Sequence, residues 1–181
     1  FVGEYRGQFP LISSFCPSVV RLVQVKYPDL LSQLMPILSP REVIAREAKQ
    51  TWAAATGLPP ARIGTVYVTP CPAKLMSIVD HPGMVNSFID SAVAISDAFP
   101  LLASTIRDVQ ASGAKVDQLE TAAGLGWAFS IGLPTSLPAE NTLGVWGLSN
   151  VVRLLDDVEK GKLQRYAFIE CHACPEGCVS G

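Results

Sequence analysis

The chain predicts an α/β fold of parallel sheets flanked by helices. Short β-rich runs alternate with helical segments along its length, the order that βαβ units produce. The runs are short and apolar, as strands buried on both faces are. Two of the helical segments open on a proline at a favoured first-turn position.

Taken in order, residues 9–14 read as a short buried strand, followed by Cys16-Pro17. Pro17 suits the first turn of a helix with Val19, Val20, Leu22 and Val23 on its apolar face, ending at Tyr27-Pro28. Ser39-Pro40-Arg41-Glu42 opens a second helix: Ser39 is the expected N-cap, Pro40 the first helical residue, and Glu42 the partner of a capping box. That helix is expected to run to Ala55, before Gly57. Residues 63–69 are β-rich and end at Pro70-Cys71-Pro72, with a short helix expected over residues 73–79. Residues 92–95 read as a strand. Ser96 or Asp97 then caps a helix through Leu101, Leu102 and Ile106, with Pro100 in its first turn. Residues 134–138 read as a surface loop. Residues 143–146 read as a strand and 151–159 as a helix. Residues 166–170 form the last strand, which leads into Cys171, Cys174 and Cys178.

The bulk numbers narrow the function. The 181 residues suffice for one domain with a sizeable core. With 49% hydrophobic and 17% charged residues, the composition is that of a folded globular chain. A net charge of −2 argues against nucleic acid as a partner, because a phosphate backbone demands clustered Lys and Arg. No apolar run reaches the roughly 18 residues of a membrane span. The chain opens on Phe1 without a signal-peptide pattern and ends just after a Cys-rich loop, so it reads as a piece of a longer protein. Nothing points to secretion, and a cytoplasmic location is expected. In a reducing compartment clustered cysteines point to metal binding or redox chemistry rather than disulfides.

Three cysteine positions share one context. Cys16 follows the first strand, Cys71 the strand ending at Thr69, and Cys174 and Cys178 the last strand. In a parallel sheet the carboxyl ends of the strands share one edge, where ligands bind. Four distant thiols can therefore converge, and four thiolates suit zinc or a cubane cluster. A lone Cys-Pro, a Pro-Cys-Pro and a C-x3-C lack the close pairs of a zinc knuckle. The spacing favours a cluster over zinc or unligated thiols. Cys171 is expected to point away from Cys174 as a buried thiol. His81 sits in a turn, and Trp127 and Trp146 are expected in the core.

Three ordered segments carry a resemblance. Ser13-Ser14-Phe15-Cys16-Pro17, Thr69-Pro70-Cys71-Pro72-Ala73-Lys74 and Phe168-Ile169-Glu170-Cys171-His172-Ala173-Cys174-Pro175-Glu176-Gly177-Cys178 resemble the three signatures of the FeFe (iron-only) hydrogenase catalytic domain. Tyr27-Pro28-Asp29-Leu30-Leu31, Ser39-Pro40 and Gly147-Leu148-Ser149-Asn150 resemble the sequence between them. The resemblance implies an Fe-only hydrogenase-like partial domain over residues 1–181. It implies a 4Fe-4S cluster held by Cys16, Cys71, Cys174 and Cys178, with Cys178 also able to bridge to a two-iron subcluster bearing CO and cyanide. Lys74 matches the lysine that hydrogen-bonds a cyanide, an ammonium stabilising a buried anion.

Departures from the family gather around the two-iron site. Phe15 stands where the family has a proton-relaying cysteine, and a phenyl ring carries no proton. Thr69 and His172 replace methionines, Arg41 a glutamine, and Glu176 a glycine. His172 has two readings, a donor to cluster sulfide or a solvent-facing loop residue. Residues 130–134 take the place of a glycine-rich stretch. These changes predict a redox or hydrogen-sensing module with weak or no H2 turnover, joined to ferredoxin-like, PAS or signalling domains of the same polypeptide. The alternatives are an active, ferredoxin-linked FeFe hydrogenase and a cubane-only iron–sulfur protein.

Overall fold

The computed structural model describes Tyr5, residues 7–80, 87–113, Ala128 and residues 141–180. His81, Trp127 and the stretches 130–134 and 134–138 lie outside these residues. The chain forms two compact units, one from residues 1–40 and 123–181, the other from residues 41–122.

In the first unit three strands form one parallel sheet in the order β1-β5-β4: β1 is Leu11–Ile12, β4 Thr142–Trp146 and β5 Phe168–His172. Leu11 and Ile12 pair with Phe168 and Ile169, and residues from Thr142 to Trp146 pair with Phe168 to His172. As the central strand, β5 is buried at every residue. Helix α1 (Pro17–Lys26) and helix α5 (Leu148–Glu159) cover one face. Val151, Leu154, Leu155 and Val158 recur at helical spacing on α5 and meet Val19 and Val23 of α1, Ile12, Ile169 and Cys171. Tyr27, just past α1, donates from Oη to Asp156 Oδ1 at 2.6 Å and ties the two helices. The other face carries a smaller cluster of Leu11, Met35 and Phe168, with Phe15 packed against it.

The second unit holds β2 (Val66–Thr69) and β3 (Ser91–Ala94), paired in parallel, with helices α2 (Pro40–Thr56), α3 (Pro72–Val79) and α4 (Ile95–Ser112). Ala45, Ile78 and Ile89 form its buried cluster, with Tyr67, Phe88 and Ala92 against it.

The expected α/β class and parallel pairing hold, and several local expectations do not. The first strand is reduced to two residues because β5 pairs with it only there. The last strand starts later than expected and continues through Cys171 and His172. Helix α4 grows directly out of β3 at Ile95 with no side-chain cap, so Pro100 is its sixth residue rather than a first-turn residue. No capping box forms at α2. Ser39 Oγ is buried without a partner, and Glu42 turns to Ser87 Oγ at 2.9 Å and the Phe88 amide at 2.8 Å. Trp146 ends β4 at 40% exposure, outside the core.

Candidate functional site

The strand-end cysteines do not share one sheet. Cys16, Cys174 and Cys178 lie at the carboxyl edge of β1-β5-β4, in the first unit, whereas Cys71 follows β2 in the second. No disulfide joins the described cysteines, and Cys16, Cys71, Cys174 and Cys178 are each partly buried.

Cys16 is the N-cap of α1, where Pro17 begins the helix. Burial pushes the Cys16 thiol up from its ordinary value. The Ala173 amide opposes this most, then that of Val19, while the nearby Cys178 raises it. The Val19 and Ser18 amides are not aligned for a capping bond. The start of α1 and the turn after β5 thus bring Cys16, Ala173 and Cys178 together.

His172 is not in a loop facing solvent. It is the last residue of β5, 4% exposed, with Nδ1 4.0 Å from Cys178 Sγ and Nε2 3.2 Å from Glu170 Oε1. The Glu170 contact is close but not aligned for a hydrogen bond, and Glu170 Oε2 has no partner. Burial pulls the imidazole pKa down. Cys178 and Glu170 outweigh it and carry the value up to about 9. Cys171 points to the opposite face, into the core between α1 and α5, and burial lifts its thiol to about 12. It is a core thiol, as expected.

The turn from Cys174 to Cys178 holds Glu176 at φ 57 and Gly177 at φ 94. Glu176 is thus in the left-handed region that glycine enters without strain. Phe15 is packed with Leu11, Met35 and Phe168 and offers no group that could carry a proton.

In the second unit Thr69 is buried, and its Oγ1 accepts the Cys71 amide at 3.2 Å, which fixes the turn into α3. Cys71 is the N-cap of α3 and Lys74 lies in its first turn, partly buried. Arg41 donates to the Lys74 carbonyl at 3.3 Å and to Ser77 Oγ at 2.7 Å, and lies over the Tyr67 ring. It therefore anchors the helix that presents Lys74. From sequence alone Thr69 and Arg41 are only departures from the family pattern, and Glu170 has no assigned role. Period-two spacing of Glu170 and His172 was the available signal for their pairing.

Among the described residues no three His, Cys, Asp or Glu side chains close on a point as a single ion requires. A cubane holds its four cysteines farther apart than one ion holds its ligands. Three thiols on one sheet edge, two near enough to feel each other's charge and one facing a backbone amide, fit such a group. No helix among the described residues is long and apolar enough to cross a membrane.

Comparison with known proteins agrees with the motifs. The family model for the iron-only hydrogenase large subunit, C-terminal domain, matches residues 2–132 and 134–181. Iron hydrogenase 1 of Clostridium pasteurianum is 31% identical over 126 residues, covering 68% of this chain and 21% of that protein. The NADP-reducing hydrogenase subunit HndD of Solidesulfovibrio fructosivorans is 28% identical over 94 residues, covering 52% of this chain and 16% of that protein. The chain thus spans about a fifth or less of these relatives. A variant of the FeFe-hydrogenase HydA1 from Chlamydomonas reinhardtii shares the fold with a TM-score of 0.68 at 18% identity, over 95% of this chain and 61% of that one. With its parallel sheets, its strand-end cysteines and a family match over nearly every residue, the chain belongs to the C-terminal domain family of the iron-only hydrogenase large subunit.

Proposed function

We propose that Cys16, Cys71, Cys174 and Cys178 hold a 4Fe-4S cluster, and that this hydrogenase-like domain is a redox or hydrogen-sensing module with weak or no H2 turnover. The observation that carries the reading is the pairing of a thiol-bearing sheet edge, Cys16 beside Cys178, with an apolar Phe15 at the position of the family's proton relay. Cys71 enters as the fourth ligand on its motif. When bound, the cluster supplies one-electron transfer. The chain's own residues hold it, screen it and orient it: Cys16 from the start of α1, Cys174 and Cys178 from the turn after β5, with the Ala173 amide directed at a ligand sulfur. Its partners in this reading are ferredoxin-like, PAS or signalling domains of the same polypeptide.

One observation favours a fuller site. Lys74 stands in the first turn of α3, three residues after Cys71, and Arg41 fixes that turn. Its ammonium suits a buried anionic ligand such as the cyanide of a two-iron subcluster. A slow hydrogenase is the second reading.

Anaerobic reconstitution tests both. About four irons and four sulfides per chain are expected for one cubane. Carbonyl and cyanide infrared bands after full maturation would add the two-iron group, and their absence would leave a cubane-only protein. Rapid hydrogen oxidation by the matured wild type would overturn the sensing role. Loading that survives simultaneous Cys16→Ser and Cys178→Ser changes would overturn the ligand set.

A further inference from the structure

The carboxyl end of β5 carries a buried polar pair that cluster ligation alone does not require. Strand alternation puts Phe168, Glu170 and His172 on one side, Ile169 and Cys171 on the other. Glu170 and His172 are 1% and 4% exposed. From the neighbouring strand Gly144 pairs with Glu170, so no side chain from that position crowds the carboxylate. Such groups are costly to bury unless something uses them.

The geometry is directional. One end of the imidazole, Nε2, faces Glu170 Oε1 at 3.2 Å, and the other, Nδ1, faces Cys178 Sγ at 4.0 Å. A metal-bound thiolate has no proton to give, so it can only accept from a nitrogen set against it. A carboxylate 3.2 Å from the far nitrogen restrains the ring by charge rather than by an aligned hydrogen bond, in the place where the outer partner of a ligating group stands in many metal sites. We infer that His172 donates a hydrogen bond from Nδ1 to the sulfur of Cys178, that Glu170 positions the ring for it, and that this pair raises the reduction potential of the cluster. The inference rests on the cluster reading above. Its sign follows from charge: reduction adds an electron to the cluster and its sulfurs, and a donor at sulfur stabilises the more negative state. A methionine, the family's residue here, has no such donor.

Redox titration of the reconstituted full chain at one fixed pH, followed by electron paramagnetic resonance, tests this, with resonance Raman of the iron–cysteine stretches as a second readout. His172→Met is expected to move the midpoint to a more negative potential and to shift a stretch assigned to Cys178. His172→Asn places a neutral amide donor near the site of Nδ1 and is expected to hold the midpoint above that of the methionine variant. His172→Gln, whose amide reaches toward the site of Nε2, is expected to behave like the methionine variant. Equal midpoints for wild type, H172M and H172Q at equal iron content would overturn the inference and leave the cluster intact as a reading. A wild-type chain that takes up no iron and sulfide would instead remove the cluster reading itself. Should H172M fail to load, the contrast between H172N and H172Q decides: a common midpoint overturns the inference.

Discussion

At Glu176 the backbone adopts φ 57, between Cys174 and Cys178. A Cβ in the left-handed region meets the following carbonyl, a penalty of about 1–2 kcal/mol that glycine escapes. Glu176→Gly is therefore expected to stabilise the chain by about 1 kcal/mol, less whatever glycine loses in unfolded-state entropy. Urea unfolding checks it, and a lower midpoint would contradict it. His172 carries a second prediction. Its folded pKa of about 9 lies above the ordinary 6.5. In the metal-free chain its contribution is fully present below pH 6.5 and is lost as pH rises through about 9. The stability difference between wild type and His172→Met should therefore shrink over that window. A difference that grows toward alkaline pH would show that the imidazole is buried neutral.

Elements follow from local chemistry more closely than their ends do. Helix α5 was legible because Val151, Leu154, Leu155 and Val158 repeat at 3.6-residue spacing, and only its first turn was missed. The end of β5 was not, because Cys171 and His172 looked like the opening of a ligand loop, whereas pairing with Val145 and Trp146 keeps them in the ladder. Helix α4 was misplaced at its start, since Ser96 and Asp97 invite capping yet β3 runs straight into Ile95. Pro100 then sits inside the helix, where it has no N–H to give the carbonyl of Ser96. Pro100 is exposed, so Pro100→Ala should stabilise α4 without disturbing a core, by up to about 3 kcal/mol. Thermal unfolding by circular dichroism checks it, and a fall in midpoint would mean that the proline holds a bend the fold needs.

For the molecule as a whole, the alternation of strands and helices disclosed parallel α/β architecture, and three short motifs disclosed the family. What stayed hidden was how strands are shared between sheets. Five strand segments in order do not say that β1, β4 and β5 belong together and β2 pairs with β3, because sheet partners are chosen by tertiary packing. The same limit kept Thr69 and Arg41 from being seen as braces of the Cys71–Lys74 turn. Cluster removal is the prediction at this scale. A group bonded to Cys16, near the start of the chain, and to Cys174 and Cys178, near its end, adds its binding free energy to folding. Stripping iron anaerobically should lower the thermal midpoint of the reconstituted chain, and an unchanged midpoint would contradict a cluster that ties those segments together.

Strand β5 lies between two partners and has a different cargo on each side, oily toward α1 and α5, and on the reverse ionisable beyond Phe168. Sliding it by one residue against β1 and β4 would drive an imidazole and a carboxylate into hydrocarbon and swing the spare thiol of Cys171 outward. Insertions and deletions should therefore be barred from Phe168–His172, yet tolerated in the exposed bend around Gly161, where no neighbouring strand counts the residues.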